Sequence, residues 1–414
     1  MNLQTLQPRH RATLIACASI VAAAIPASPA VAEDITLKPL ADIRLQLETL
    51  EVDNLPEPSE ATTVRVRGGV ELAAGRFIAR LEGQGNFALV DNYADGLNSL
   101  TDRPIIPDPE NAAIYQAYLR YSAPSVTATV GRQEIDLDDA RFVGTAPIRQ
   151  NAQNFDALRV KWTGIKDLTV DVSYAWSFRP FWGRDGFGSR PEEVDGNNIF
   201  VNVAAQTGIG TLAGFAYVAD LDDPRAQSFR LSSQTYGLRL TGSRTITEGV
   251  SLAYLASYAR QFDAGRNPND YAADYAALEG TAVMGEWRLG AGFEMLGADD
   301  GTAFASFQTP FSSGVKFLGL AGRFLPTPPD GVRDYYGTLH YKAGDVGPLS
   351  DVNLKAVLHH FTSDRELRIY GDELDLMASG KLGATLLTLR YAGYRERGFS
   401  ADTQRFMLQL EWKY

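Results

Sequence analysis

The feature that most constrains this chain is the alternation of apolar and polar residues along segments of about ten residues. The alternation is regular in Val64–Arg67, Phe77–Glu82, Leu168–Tyr174 and Phe406–Trp412. Successive side chains of a strand point to opposite faces, so each segment predicts a strand with one apolar and one polar or mixed face. After Glu33, no apolar run approaches the ~20 residues that a membrane-spanning helix needs. The chain beyond Glu33 is therefore either soluble or crosses a membrane as strands.

Segments of this kind recur to the end of the chain and predict about eighteen strands. Each is close to the ~9–11 residues that a tilted membrane strand needs. They lie near residues 40–50, 62–72, 76–87, 113–121, 126–135, 154–163, 167–177, 197–206, 211–219, 233–242, 250–261, 274–283, 286–297, 332–342, 351–361, 370–379, 384–394 and 402–414.

Short and long connections alternate between these segments. Every second turn is short, whereas the intervening connections are longer and more polar, among them 88–112, 136–153, 178–196, 220–232, 262–273, 298–331 and 395–401. A soluble sandwich has no reason to keep this rhythm, but an outer-membrane barrel has short periplasmic turns and long extracellular loops. A closed sheet also leaves no backbone edge unpaired in hydrocarbon. We therefore predict an all-β fold, a transmembrane up-and-down antiparallel β-barrel of about 18 strands.

The N-terminal segment predicts export. Arg9 and Arg11 precede an apolar stretch, and Ala30–Ala32 is typical of a signal-peptidase cleavage site. Lipidation of Cys17 is the alternative, although the apolar stretch continues well past that residue. We predict that residues 1–32 are a secretory signal peptide and that residues 33–414 form a single barrel domain in the bacterial outer membrane.

The charge distribution distinguishes the lumen from the rest of the chain. The whole sequence has 39 Lys and Arg against 50 Asp and Glu, which argues against a nucleic-acid partner. On the polar face of the predicted strands, however, basic residues predominate. An Arg or Lys that faces lipid costs ~2–4 kcal/mol at the bilayer midplane, so we expect these charges to face water inside an anion-preferring pore. For each single residue, pairing with a neighbouring acid that braces the wall is the alternative. The candidates on this basis are Arg65, Arg67, Arg80, Arg120, Arg239, Arg288 and Arg390.

The sequence does not predict an enzyme. Beyond the signal peptide the histidines are His340, His359 and His360, and the adjacent pair must point to opposite faces of a strand. Zinc-site spacings are lacking, and acidic turns such as Asp136–Asp139 do not match the spaced oxygen ligands of a calcium loop. We predict no catalytic residue, cofactor or metal.

Two blocks of sequence resemble the alginate-export family of outer-membrane barrels. The first block contains Gly131–Glu134, Arg141–Gly144, Arg149–Asn151 and Asn154–Arg159, and the second lies between Phe307 and Tyr336. The resemblance implies an eighteen-stranded barrel with an arginine-lined pore for an anionic polysaccharide or a similar acidic solute. The resemblance also implies six further candidate pore residues, which are Arg132, Glu134, Arg141, Arg149, Asp156 and Arg159.

Arg132 presents a difficulty, because it falls on the lipid-facing side of its strand when counted from Val126. Either Gly131 marks a bulge that turns Arg132 inward, or the strand ends there and Arg132 belongs to the rim. We expect Arg132 and Arg159 to converge on the pore with one or both of the other block arginines, Arg141 and Arg149. In that arrangement Glu134 and Asp156 hold the guanidinium planes through bidentate contacts.

These observations predict an outer-membrane channel with a basic, anion-preferring lumen. The expected partners are outer-membrane lipids and lipopolysaccharide, the barrel assembly machinery that reads a terminal strand ending in an aromatic residue, and an anionic saccharide or small anionic solute. Exporters of the family combine an inward extracellular loop with a long periplasmic plug. Here 88–112 or 298–331 could fold inward, but no periplasmic turn is long. An uptake porin for small acidic solutes and a filled structural or adhesive barrel are the alternatives.

Overall fold

The protein is an eighteen-stranded antiparallel barrel. The computed structural model describes residues 35–184, 190–302 and 305–414, so the signal peptide and the lipidation of Cys17 lie outside the described residues and stay predictions. The strands are β1 Thr36–Val52, β2 Ser59–Ala74, β3 Phe77–Asn92, β4 Asn111–Ala123, β5 Val126–Gln133, β6 Asn154–Trp162, β7 Leu168–Arg179, β8 Val194–Thr207, β9 Gly210–Ala219, β10 Ser233–Thr247, β11 Val250–Asp263, β12 Ala272–Met284, β13 Trp287–Leu296, β14 Val332–Val346, β15 Leu349–Thr362, β16 Ile369–Leu382, β17 Thr385–Glu396 and β18 Thr403–Lys413.

The barrel closes between its first and last strands. Each strand pairs with its neighbours in sequence, and β1 pairs with β18 from Asp42↔Lys413 to Val52↔Thr403. Closure pairs every strand on both sides, which is the condition for sheet backbone in hydrocarbon. The predicted fold class is confirmed. Among the described residues, no helix has the length and apolarity to cross a membrane.

Several strands are longer than the sequence pattern predicts. β1, β2 and β3 have 17, 16 and 16 residues, whereas crossing the membrane takes only ~9–11. The pattern detects the part of a strand that alternates across the apolar band, so it does not reveal ends that continue into water. Turns on the short side have two residues in most cases. Gly285, in the turn between β12 and β13, has a φ of 55°, which a residue without a Cβ adopts at little cost.

The outer and inner faces reverse the arrangement of a soluble protein. Large apolar side chains such as Leu238 and Leu278 are 60% and 58% exposed on the outer face. Many polar side chains of the lumen are buried, including Gln46, Glu48 and Arg65. This distribution is the one that a lipid-facing exterior and a hydrated or loop-filled interior require.

Two extracellular loops enter the lumen. They are the 134–153 loop between β5 and β6 and the 297–331 loop between β13 and β14. Phe307, Phe311 and Phe324 of the second loop are at most 3% exposed and pack with aromatic residues of the wall. The expectation that 298–331 could fold inward is confirmed. The 93–110 loop also reaches into the lumen, where the buried Asp108 accepts a hydrogen bond from Gln46 at 3.0 Å, as the expectation for 88–112 allowed.

Candidate pore

The two inward loops are joined to each other inside the barrel. A parallel bridge links Val143 and Phe311, and the Gly144 amide donates to the Phe311 carbonyl at 2.8 Å. The Gln153 side-chain amide donates to the carbonyls of Gly144 and Ser312 at 2.9 and 3.0 Å. Because hydrogen-bond donors of the 134–153 loop are paired with acceptors of the 297–331 loop, the two loops form one constriction.

The 134–153 loop is also attached to the wall on two sides. On one side, the Arg44 guanidinium donates to the Pro147 carbonyl at 2.8 Å. On the other, Arg141 forms an ion pair with Glu294 of β13, and both side chains are less than 10% exposed. The Gln150 amide donates to Asp108, and burial raises the pKa of that carboxyl above its ordinary value. These contacts fix the loop across the lumen.

The 297–331 loop is held by β16 and β18. The Leu320 amide donates to Asp375 at 3.1 Å, the Ala321 amide donates to Glu373 at 2.8 Å, and Arg405 donates to the Leu320 carbonyl at 2.9 Å. Two acids on one face of β16 therefore serve as backbone acceptors for the loop.

A cavity of about 850 Å³ lies between the inward loops and the wall formed by β10–β18 and β1. Its loop side is largely apolar and includes Val315, Phe317, Leu318 and Leu320. Its wall side is mainly polar. The cavity is therefore bounded by an apolar loop surface and a charged wall.

A row of basic residues crosses this wall. Arg288 of β13 is paired directly with His340 of β14, and His340 is paired with Lys355 of β15. The row continues through Met377 of β16 to Arg390 of β17. All of these residues line the cavity. We call Arg288, His340, Lys355 and Arg390 the basic row.

The cations of the basic row have no carboxylate within ion-pair distance in the part of the chain that the structure describes. Arg288 contacts the His340 ring at 3.1 Å, and Arg390 donates to Gln409. The acids that line the same cavity are mostly engaged elsewhere: Glu294 with Arg141, Asp139 with Arg239, Asp334 and Asp375 with His359, and Glu411 with Arg44. Glu279 accepts a hydrogen bond from Tyr336 at 2.9 Å.

Most of the other predicted lumen arginines brace the wall. Arg65 pairs with Asp42 and Glu411, Arg80 with Glu82, Arg159 with Asp171, and Arg149 with Glu48 and Asp108. Arg67 and Arg120 instead stack on tyrosine rings, Arg67 on Tyr115 at 3.5 Å and Arg120 on Tyr118 at 4.8 Å. The bracing alternative therefore describes these ion-paired positions better than a role as free pore cations.

The structure corrects the expectation for Arg132. The register between β4 and β5 is continuous through Tyr118↔Gly131 and Ala117↔Arg132, so Gly131 makes no bulge and Arg132 stays on the outward face. Its bidentate contact with Asp156 is present, at 2.8 and 2.9 Å, but it lies on the outside of the barrel near the extracellular rim. Glu134 accepts hydrogen bonds from Tyr115 and Gln116, and it forms no ion pair with an arginine of the described ranges.

The four block arginines consequently do not converge. Arg141 and Arg149 are buried in the 134–153 loop, and Arg159 is paired on the β6 wall. The sequence does not single out His340 as a pore residue, and it places Lys355 on the polar face of its strand without assigning it to a site. Only the pairing register across β13–β17 brings them into one row with Arg288 and Arg390, and a single strand's pattern does not contain that register.

The prediction that the adjacent histidines face opposite sides is confirmed. His359 contacts Asp334 at 2.9 Å in the lumen, whereas His360 contacts Asp372 at 2.6 Å on the outer face. Among the described residues, there is no group of three or more His, Cys, Asp or Glu side chains suited to a metal ion.

Comparison with known proteins identifies similar sequences and folds. The sequence matches the alginate export family over residues 70–306, more than half of the chain. No curated protein sequence matches significantly. OccAB4 of Acinetobacter baumannii has a similar crystal structure, with a TM-score of 0.69, 14% identity and coverage of 91% of this chain and 98% of that one.

Two structures from Pseudomonas aeruginosa are similar to the same degree. OccK9 (OpdG) has a TM-score of 0.68 at 15% identity, with coverage of 92% of this chain and 99% of that one. OpdK, whose structure was determined with vanillate, has a TM-score of 0.67 at 12% identity, with coverage of 91% and 98%. At these identities the likeness supports the fold.

Proposed function

The chain belongs to the alginate export family, and from that premise we propose that this outer-membrane channel prefers small anionic solutes. The basic row carries the proposal, because Arg288, Lys355 and Arg390 face the cavity and have no carboxylate partner among the described residues. A cation in a water-filled lumen attracts mobile anions when no fixed acid neutralises it. A carboxylate or phosphate in transit would supply the counter-charge that the wall does not.

The spacing of the row suits passage rather than tight binding. Arg288, Lys355 and Arg390 lie on alternate strands, and neighbouring strands are ~4.8 Å apart, so successive cations are about 10 Å apart along the row. Because strands of such barrels tilt by ~35–45°, a row of directly paired residues runs obliquely and its members lie at different depths. An anion can therefore move from one cation to the next without being trapped at a single site.

The size of the lumen favours small solutes. The inward loops are hydrogen-bonded to each other and to the wall, and the cavity beside them is about 850 Å³. Cavities of ~300–1,000 Å³ accommodate small molecules. The apolar loop side at Val315 and Leu318 would accept a solute that carries an apolar body beside its acid group.

Planar-bilayer electrophysiology tests the proposal. In a salt gradient, the sign of the reversal potential of the wild-type channel should indicate that anions permeate more readily than cations. A unit charge ~6 Å from a permeating ion in water is worth ~0.7 kcal/mol, or about threefold in local concentration. The variant R288Q/K355Q/R390Q should therefore lose most of the preference, with a shift of the reversal potential toward zero.

The control is K381Q, which removes a cation from the exposed pair with Asp351 at the periplasmic end of β16. This variant should keep the wild-type reversal potential. A triple variant with unchanged anion preference would contradict the assignment to the basic row. A wild-type barrel that conducts no ions would be a filled structural barrel, and the proposal would fail altogether.

Export of an acidic polysaccharide is the second candidate, and it is favoured by the family match. Uronic acid oligomers of increasing length separate the two candidates. If the channel serves small solutes, liposomes should swell with a monomeric uronate and stop swelling as the oligomer grows. Continued permeation of long oligomers would favour polymer export.

A further inference from the structure

The outer wall over β13–β17 contains an apolar groove of about 480 Å³. Its lining includes Leu339, Leu354, Leu376, Leu389 and Tyr391, which belong to the lipid-facing side of their strands. Apolar surface is expected on this face, but a groove is a concave feature that a flexible chain can fill. The groove is therefore shaped for an extended apolar ligand such as an acyl chain.

A polar row crosses the same strands nearer their extracellular ends. Tyr335 of β14 is paired with His360 of β15, His360 with Asp372 of β16, and Asp372 with Arg395 of β17. The side chains point outward, and those of His360 and Asp372 are 41% and 42% exposed. Leu358, two residues below His360, is again apolar and 64% exposed. The polar row thus marks the upper boundary of the lipid-facing band.

Together with Arg397, which directly follows β17, the row carries two arginines against one carboxylate. Asp372 contacts His360 at 2.6 Å and Arg397 at 3.1 Å. Arg395 forms no ion pair or side-chain hydrogen bond with any residue that the structure describes, and its side chain is exposed. An outward arginine at this depth is costly in hydrocarbon but favourable beside the phosphates of a leaflet surface.

The distance between the row and the groove matches the dimensions of a lipid. Ala356, Leu376 and Tyr391 in the groove each lie four residues below a row member on the same strand, His360, Asp372 and Arg395. Four residues of a strand span about 13 Å. A headgroup at the row would therefore leave its acyl chain directly over the groove.

We propose that this surface is a binding site for a phosphorylated lipid of the outer leaflet, of the lipopolysaccharide type. Arg395 and Arg397 contact the phosphate, and the groove receives an acyl chain. The site lies on the outside of the barrel and does not depend on which solute passes through the pore. Charge complementarity favours an anionic lipid over a neutral one, and the length match favours a lipid over a free phosphate ion.

Native mass spectrometry on protein refolded without lipopolysaccharide tests the site. The probe is bisphosphorylated lipid A, compared with the same lipid after removal of its phosphates and with inorganic phosphate. A basic residue near an anionic surface contributes about fivefold to binding, so R395Q/R397Q should weaken lipid A binding by about 25-fold. The dephosphorylated lipid should bind this variant and the wild type equally.

The charge-matched control is K342Q/K381Q, which removes two cations at the periplasmic ends of β14 and β16. It should bind lipid A like the wild type. A second variant, A356W, fills the groove and should weaken binding of both lipids, and the heat-dependent gel shift of each variant verifies that it is folded. Equal lipid A affinity in R395Q/R397Q and in the control would overturn the proposal. So would inorganic phosphate that binds as tightly as lipid A, because it would indicate an ion site without a lipid.

Discussion

The ion pair between Arg141 and Glu294 predicts how firmly the constriction is held. Arg141 belongs to the 134–153 loop, Glu294 belongs to the wall, and their side chains are 2% and 9% exposed. Removing one partner of a buried ion pair costs ~3–5 kcal/mol because the other charge stays buried without a counter-charge. We expect E294Q to weaken the attachment of the loop by this amount.

The weaker attachment of the 134–153 loop should be visible in the conductance of the channel. Each ~1.4 kcal/mol is tenfold in an equilibrium constant, so the ratio of displaced to attached loop should rise by roughly two to three and a half orders of magnitude. The backbone bridge between Val143 and Phe311 still restrains the loop, and the displacement should therefore be transient. Single-channel recordings should show increased open-channel noise and brief excursions to higher conductance.

E279Q is the matched control, because Glu279 lines the same cavity but accepts its hydrogen bond from Tyr336 and pairs with no arginine among the described residues. It removes the same charge and should leave the noise unchanged. The double variant R141M/E294M should be quieter than E294Q, since apolar replacement of both partners leaves no unpaired charge. An E294Q channel as quiet as the wild type would refute the reasoning.

Two further predictions concern the barrel itself. R65M removes the buried arginine that pairs with Asp42 and Glu411, and Glu411 then keeps only Arg44 as a buried partner. This variant should lower the temperature at which the fast-migrating folded band disappears from gels, whereas K381M at an exposed pair should not, and equal temperatures would contradict the prediction. L278R places a cation on the outer face midway along β12. In guanidinium titrations of the barrel in vesicles, this variant should lower the free energy of unfolding by ~2–4 kcal/mol. T281R, on the cavity side, should lower it much less.

The strand number and the closed topology were predictable because each strand carries its own alternation. Arg132 shows the value of that local signal: its position relative to Val126 indicated the outward face, and the motif-based expectation of an inward turn was wrong. Because β5 is continuous, successive side chains point to opposite faces, and this alternation places Arg132 on the outside.

The pore could not be predicted to the same depth. The basic row depends on which residues of neighbouring strands are paired, as in His340↔Lys355, and the constriction depends on a bridge between Val143 and Phe311. Those contacts join parts of the chain that are distant in sequence. The periodicity of one strand or loop does not indicate which distant residue it will contact. An arginine that pairs with an acid of the wall therefore cannot be distinguished in the sequence from a cation that stays unpaired.

The ion pairs at the junction of the first and last strands bear on the order of assembly. Glu411 of β18 contacts Arg44 and Arg65, and Arg405 of β18 contacts Glu48. Among the described residues, the buried Arg44 therefore finds its carboxylate partner only when the final 11-residue strand arrives. Arg65 and Glu48 gain a second partner at the same step, in addition to Asp42 and Arg149. A product that lacks this strand would leave Arg44 without a carboxylate and Glu48 without Arg405, beside an unpaired backbone edge of β1. The last strand therefore completes the junction in two ways at once, because it pairs the backbone edge of β1 and brings a carboxylate to Arg44.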